Sequence, residues 1–201
     1  MRRPRTQDDL DAVFVADQTP ERSRAAARQL EAWAAEGTRP GDEVNAAQLL
    51  VLAGEQFARA GDAHEAVRVL RTAVATGEPV VPDVRCYLHH ALLAIGEVEA
   101  ARDLADGIRR ERPADADVYL FIGEDLEVHG DLRGAHRWLT LGARTALADV
   151  DDADTLDAFD AASGAAFLLT ARKRVREALG MPPDDWDELV PPLDRDDDLP
   201  E

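Results

Sequence analysis

The chain alternates between segments in which apolar residues recur with the 3.6-residue period of an α-helix and short polar breaks that contain glycine. The first periodic segment runs from Pro20 to Gly37 and follows Thr19, a residue suited to cap a helix that begins with proline. Its apolar stripe comprises Ala26, Leu30, Trp33 and Ala34. The pattern predicts an amphipathic helix here, whereas residues 1–19 are weakly patterned and are predicted to form a flexible arm.

Glycine–acid pairs mark the next breaks at regular intervals. Gly61-Asp62, Gly96-Glu97 and Gly130-Asp131 are separated by 35 and 34 residues. This spacing is the length of two helices and two turns, the unit of a helical repeat array. We therefore predict an all-α fold, a small solenoid in one helical domain over residues 20–180, with hairpin repeats at about 44–80, 81–114 and 115–148.

Small residues are predicted to bring the two helices of each hairpin together. Two antiparallel helices about 8–10 Å apart need a small side chain where their backbones approach. Gly54 and Gly123 are expected to face Ala66 and Ala135 in this way. His89 occupies the corresponding position of the second hairpin, so that either this helix pair opens locally or the alignment shifts there by one residue.

These residues resemble the tetratricopeptide repeat family. The matching stretches are LLVLAGEQFARAGDAHEA (residues 49–66) and YLFIGEDLEVHGDLRGA (residues 119–135), with Pro113 as the terminal proline of the second repeat. The resemblance covers residues 44–148 and implies a right-handed α-α superhelix whose first helices form a concave groove for a protein or peptide partner. By the family's pattern the groove residues are Gln48, Val51, Glu55, Asp83, Cys86, His90, Asp117, Leu120 and Glu124.

The acidic character of this predicted groove favours a basic or amphipathic peptide. The Lys, Asn and Arg residues with which some family members capture a C-terminal carboxylate are absent from these positions. The alternative is that the acids form only a solvated helix face. The net charge of −18 opposes binding to nucleic acid or to an anionic membrane through a basic surface. Neither an apolar run of about 18 residues nor a secretory signal is found, and we expect a cytoplasmic protein.

No residue pattern indicates catalysis, a cofactor or a metal site. The five histidines lack an HExxH arrangement, and Ser23 and Ser163 do not lie in a GxSxG motif. Phosphate-binding glycine loops are absent as well. Cys86 is the only cysteine, which excludes an internal disulfide and a cysteine-based zinc site and favours a small buried hydrophobe in a reducing compartment. We therefore expect a protein that is not an enzyme.

The C-terminal part is predicted to be a capping helix at about 155–179, preceded by an acidic loop and followed by an acidic, disordered tail over residues 181–201. Residues 184–201 hold nine acids and one base. The basic cluster of the helix comprises Arg172, Lys173, Arg174 and Arg176. It either complements the negative end of the helix dipole or forms a docking patch for the tail. Trp186 lies in the segment DDWDELV, which either docks on a partner or packs on the capping helix.

A second resemblance concerns RGAHRWLTLGARTAL (residues 133–147) and LLTARKRVREALGMPPDDWDEL (residues 168–189). These stretches are similar to tetratricopeptide proteins of actinobacteria that often carry a SEC-C metal-binding module. That module needs several cysteines and a histidine, so it is absent here. The sequence thus predicts an interaction module, monomeric or weakly homo-oligomeric. The alternative is a self-associating structural subunit whose acidic tail docks on its own or a neighbouring solenoid.

Overall fold

The computed structural model describes residues 2–15, 19–39, 41–148 and 164–190, and every regular element among them is a helix. The chain divides into two compact units, Met1–Arg112 and Pro113–Glu201. The boundary between them lies inside residues 20–180, which were predicted to form one helical domain. Each helix in the described ranges is too short or too polar to cross a bilayer. The predicted acidic loop, the start of the predicted capping helix and the end of the acidic tail lie outside the described residues.

The described residues of the first unit form six helices. They are α1 (Gln7–Val15), α2 (Pro20–Ala35), α3 (Ala46–Arg59), α4 (Ala63–Thr76), α5 (Val84–Ala94) and α6 (Val98–Glu111). Consecutive helices from α2 to α6 pack against each other, and α1 packs against α3. The core includes Leu30, Leu49, Phe57 and Leu70. Helix α1 was not anticipated, because residues 1–19 were predicted to be a flexible arm.

Within the described residues, the second unit contains a hairpin, a third long helix and a short one. These are α7 (Ala116–Val128), α8 (Leu132–Leu147), α9 (Ala165–Ala178) and α10 (Asp185–Glu188). Helix α9 packs on both helices of the hairpin and also contacts α10. Tyr119 and Trp138 meet across the hairpin with their ring centroids 5.7 Å apart. The described part of the predicted capping helix is α9, and α10 follows it within the segment predicted as tail.

The three glycine–acid breaks form turns of the same geometry. The glycines Gly61, Gly96 and Gly130 have φ between 78° and 82°, a left-handed conformation that side chains with a Cβ rarely adopt. The following residue then donates its backbone N–H to the carbonyl five positions earlier, as in Asp62 to Phe57 at 2.9 Å. Gly180 has a φ of 67° and is followed by the same kind of bond, from Met181 to Arg176 at 3.0 Å.

The two small residues of the first helices do face their partner helices, but against larger side chains than expected. A Cβ placed on Gly54 would lie 2.7 Å from Leu70, and one on Gly123 would lie 2.6 Å from Leu139. The expected neighbours Ala66 and Ala135 are buried one helical turn earlier. A leucine can therefore reach the facing backbone only because each glycine leaves space for it.

The second hairpin reverses this arrangement of small and large residues. His89 lies seven residues before its turn glycine, as Gly54 does, and its side chain is buried. The position equivalent to Leu70, sixteen residues after the small residue, is the buried Ala105. The large residue thus lies on the first helix and the small one on the second, an exchange that keeps the summed volume similar.

Candidate functional site

Helix α3 presents three of the predicted groove residues to a cleft in the first unit. Its period places Gln48, Val51 and Glu55 on one face, and these residues line a cavity of about 180 Å³. The other lining residues are Gln7, Leu10, Asp11, Leu52, Val80, Val81 and Tyr87. The lining of the cleft therefore mixes polar and apolar residues, with Glu55 on α3 and Asp11 on α1 as its two acids. The segment before α5 adds Val80 and Val81, and α5 itself adds Tyr87.

The position of α1 at this cleft depends on an anchor just before it in the sequence. The guanidinium of Arg3 donates to the backbone carbonyls of Trp33 at 3.0 Å and Gly37 at 2.7 Å. Arg5 donates through Nε to Asp42 at 2.8 Å. Beyond this anchor, Leu10 packs into the unit with only 6% of its surface exposed. The N-terminal segment is thus fixed at the end of α2, from which α1 extends along α3.

Glu55 is the distinctive ionisable group of the cleft. Burial raises the pKa of its carboxyl group to about 7, against the opposing charges of Arg59 and His90. Gln48 uses its side chain to accept from the backbone N–H of Asn45 in a capping box. Glu55 is therefore the ionisable member of the three, and burial dominates its electrostatics.

The predicted groove residues of α5 have other surroundings. Asp83 caps the helix and pairs with Arg85 at 2.7 Å, and Arg85 also binds Glu111 at 2.6 Å. Burial raises the pKa of Asp83, but the hydrogen bonds from Arg85 outweigh it and the pKa is lowered. Cys86 is fully buried, as expected for a small hydrophobe, and so it does not line an open groove. His90 is exposed.

In the second unit the predicted groove acids are accompanied by an arginine. Asp117 is exposed and Leu120 is half-buried on α7. Glu124 lies 3.4 Å from the guanidinium of Arg174 on α9, which also binds the neighbouring Glu127 at 2.7 Å. Arg174 of α9 therefore compensates part of the acidic charge on this face of α7.

The remaining residues of the predicted docking patch bind the segment that follows α9. Arg172 reaches Asp184 and also lies 3.1 Å from Asp187, while Arg176 donates to Asp187 at 2.9 Å. Lys173 donates to the backbone carbonyl of Asp187 at 3.2 Å. The hydrogen bond from Arg172 lowers the pKa of Asp184 to about 2. These contacts join α10 to α9 through a compact cluster of charges.

Trp186 completes this cluster. The guanidinium carbon of Arg172 lies 5.0 Å from the centre of the indole ring, within the range of a cation–π contact. The side chains of Arg172 and Asp187 are each only 6% exposed. A neighbouring cavity of about 430 Å³ is lined by Lys173, Arg176, Glu177, Met181, Pro183, Asp187, Glu188 and Val190. Trp186 therefore packs on the helix that precedes it.

Comparison of the chain with protein-family models, with curated proteins and with solved structures gave no match. Among the described residues, no group of three or more histidines, cysteines or acids is placed to hold a metal ion. Sequence reasoning missed Leu10 and Tyr87 as walls of the cleft. The available signal was the spacing of Leu10, Val13 and Phe14 at i, i+3 and i+4, after two acids in the first turn of α1.

Proposed function

We propose that this protein is a non-enzymatic interaction module, related to the tetratricopeptide repeat proteins, that binds a basic or amphipathic protein segment in the cytoplasm. The observation that carries the proposal is the cleft of the first unit, where the partly buried Glu55 lines a cavity together with Val51, Leu52 and Tyr87. Such a combination is typical of sites in which apolar contacts supply affinity and one polar group supplies orientation.

A cation from a partner would relieve the cost of burying the Glu55 carboxylate. Burial disfavours the charged form of the acid, and an opposite charge within about 4–6 Å favours it. The apolar part of a lysine or arginine side chain would meanwhile contact Val51 and Tyr87. The net charge of −18 accelerates the approach of basic partners and slows that of acidic ones.

Binding of a synthetic amphipathic peptide rich in Lys and Leu, followed by fluorescence anisotropy, tests this proposal. Glu55→Gln is expected to weaken binding by about tenfold, equivalent to ~1.4 kcal/mol. Asp103→Asn removes one charge at an exposed position of α6 and serves as the matched control. Equal affinities of the Glu55→Gln and Asp103→Asn proteins would show that the cleft does not bind the peptide.

Self-association through the C-terminal segment is the second candidate function. It is favoured by the ion pairs of Asp184 and Asp187 with Arg172 and Arg176, since the same contacts could form between two copies that exchange this segment. Light scattering of the full chain and of a chain ending at Gly180 tests it. A dimer that becomes a monomer on truncation supports this function, and a monomer in both cases contradicts it.

A further inference from the structure

Helix α1 already occupies part of the cleft in which the partner is proposed to bind. Three of its residues, Gln7, Leu10 and Asp11, line the same cavity as Glu55. Leu10 supplies the buried apolar contact, and the amide of Gln56 on α3 lies 3.5 Å from the carbonyl oxygen of Val13. The chain therefore carries, at its N-terminus, a short amphipathic helix in the pose that an external helical segment would take.

The chemical match between α1 and the cleft is incomplete. The sequence of α1, QDDLDAVFV, contains three acids and no base. Its residues at the cavity are one amide, one leucine and one acid, so that none of them compensates the Glu55 carboxylate. A cavity of about 180 Å³ also remains beside Leu10. An otherwise similar helix with lysine or arginine in place of Asp11 would complement both the shape and the charge of this site.

Helix α1 is also short enough to be displaced. It has nine residues, and isolated helices below about 12–15 residues are marginal in water. Its stability therefore depends on its contact with α3, and such peripheral elements open at lower free energy than the core. The anchor of Arg3 and Arg5 would keep a released α1 close to the cleft, at an effective concentration on the order of millimolar.

We propose that α1 is a built-in competitor for the cleft, and that the partner is an amphipathic helix with an apolar residue in the place of Leu10 and a lysine or arginine facing Glu55. This inference rests on the function proposed above and adds the conformation of the partner and the event that accompanies binding. The partner would exchange with α1, so that the full chain binds more weakly than a chain whose α1 is released.

Two variants of the full chain test the competition. Leu10→Asp removes the buried contact of α1, and Ala12→Asp introduces the same carboxylate on its exposed face as the matched control. The probe is a labelled synthetic peptide of residues 5–15 that carries Asp11→Lys, and the unchanged 5–15 peptide is the reference. We expect Leu10→Asp to raise the affinity for the probe at least tenfold and Ala12→Asp to change it less than twofold.

The charge match is tested with the same peptides. The probe is expected to bind about tenfold more tightly than the unchanged peptide, and this difference should disappear in the Glu55→Gln protein. Hydrogen exchange of the full chain should show faster exchange of residues 7–15 when the probe is bound. Should Leu10→Asp fail to fold, as judged by circular dichroism, the variant Asp11→Lys in the full chain is used, since it should weaken binding of the probe at least fivefold.

The possible failures of the two proposals differ. If the probe binds the original chain through Glu55 but α1 shows no faster exchange and the variants do not change the affinity, the competition is refuted and the proposed function stands. If the probe binds neither the original chain nor the variants, the cleft is not a site for basic helices, and both proposals fail.

Discussion

Glu55 and Glu124 occupy equivalent positions in the two units, yet their carboxylates differ in every physical respect. Each follows the glycine of its hairpin and lies six residues before the turn glycine, Gly61 or Gly130. Glu55 is partly buried, and burial raises its pKa to about 7 against the opposing charges of Arg59 and His90. Glu124 is exposed and lies 3.4 Å from Arg174. The position within the hairpin therefore does not determine how buried each glutamate is or which charges surround it. The neighbouring helix determines both.

The neighbouring helices differ in charge at the corresponding position. His90 on α5 and Arg174 on α9 also lie six residues before their turn glycines. Arg174 binds both Glu127 and Glu124, and the hydrogen bond that it donates to Glu127 is the main reason why the pKa of the guanidinium is raised. Glu124 and Glu127 thus share one arginine within ion-pair distance, whereas burial dominates the electrostatics of Glu55.

The largest expected effect comes from removing one carboxylate of the charge cluster that joins α9 and α10 in the second unit. Asp187→Ala would leave the buried guanidiniums of Arg172 and Arg176 without one shared carboxylate. Removal of one partner from a buried ion pair costs about 3–5 kcal/mol, because the remaining charge is uncompensated. We expect a loss of this size in the free energy of unfolding measured by urea denaturation, with faster hydrogen exchange in residues 184–190.

The control for this variant lies in the same helical turn. Glu188→Ala removes an exposed acid and is expected to change the free energy of unfolding by less than about 0.5 kcal/mol. Similar small effects of both substitutions would mean that the charge cluster does not hold α10 against α9.

The second prediction concerns the pH dependence that Glu55 gives to stability. The pKa of Glu55 is about 7 in the folded chain, against a reference value of 4.5. Between these two pH values the folded state therefore binds a proton that the unfolded state has released. Stability from this group is therefore present below about pH 4.5 and is lost as the pH rises through about 7, by at most roughly 3 kcal/mol. The charged groups facing it are Arg59, His90 and, across the cavity, Asp11.

Glu55→Gln should remove this component of the pH dependence. The variant is expected to be more stable than the original chain at pH 8 and similar at pH 5, in denaturation curves measured at both values. Glu124→Gln, the equivalent change in the second unit, should give no such pH-dependent difference, because its carboxylate is exposed. Parallel curves for Glu55→Gln and the original chain would refute the elevated pKa.

The third prediction tests whether the hairpins α3–α4 and α7–α8 are packed in the same way, as the comparison of Glu55 with Glu124 assumes. Gly54→Leu and Gly123→Leu would each drive a side chain into a leucine of the facing helix, Leu70 or Leu139. Overpacking of this kind costs about 1–3 kcal/mol, and we expect similar losses for both variants in thermal melts. Gly107→Ala is the control, since the nearest atom to its added Cβ is 4.0 Å away, at the end of the Arg110 side chain. No loss for either leucine variant would contradict the assigned contacts.

The sequence predicted the helical hairpins where pattern and turn chemistry agree. The glycines at the three turns are needed for positive φ, so that their spacing alone located α3 to α8. Packing partners were less accessible, because a period identifies the face of a helix but not which residue of the partner lies opposite. Ala66 was expected opposite Gly54, whereas Leu70, one turn later, makes the contact.

Of the candidate site, only the residues on α3 could be predicted from the sequence. Gln48, Val51 and Glu55 follow from the resemblance to the repeat family, but the rest of the lining depends on long-range contacts of α1, of the segment before α5 and of α5 itself. The anchor of α1 joins Arg3 to Trp33 and Gly37, which are 30 and 34 residues away, and no local pattern records it. The burial of Cys86 could not be derived from its position on the predicted groove face for the same reason.

The smallest expected effect is that of a variant which tests whether burial or charge causes the difference between Glu55 and Glu124. Arg174→Ala removes the cation beside Glu124 and Glu127, and such partly exposed pairs contribute about 0.2–1 kcal/mol. The loss in the free energy of unfolding should shrink further at 1 M salt, where charges are screened within about 3 Å. Because Glu124 remains exposed, the variant should not acquire the pH dependence predicted for Glu55. If it did, the missing cation rather than burial would explain the behaviour of the cleft, and a partner would need only positive charge, without an apolar face, to bind there.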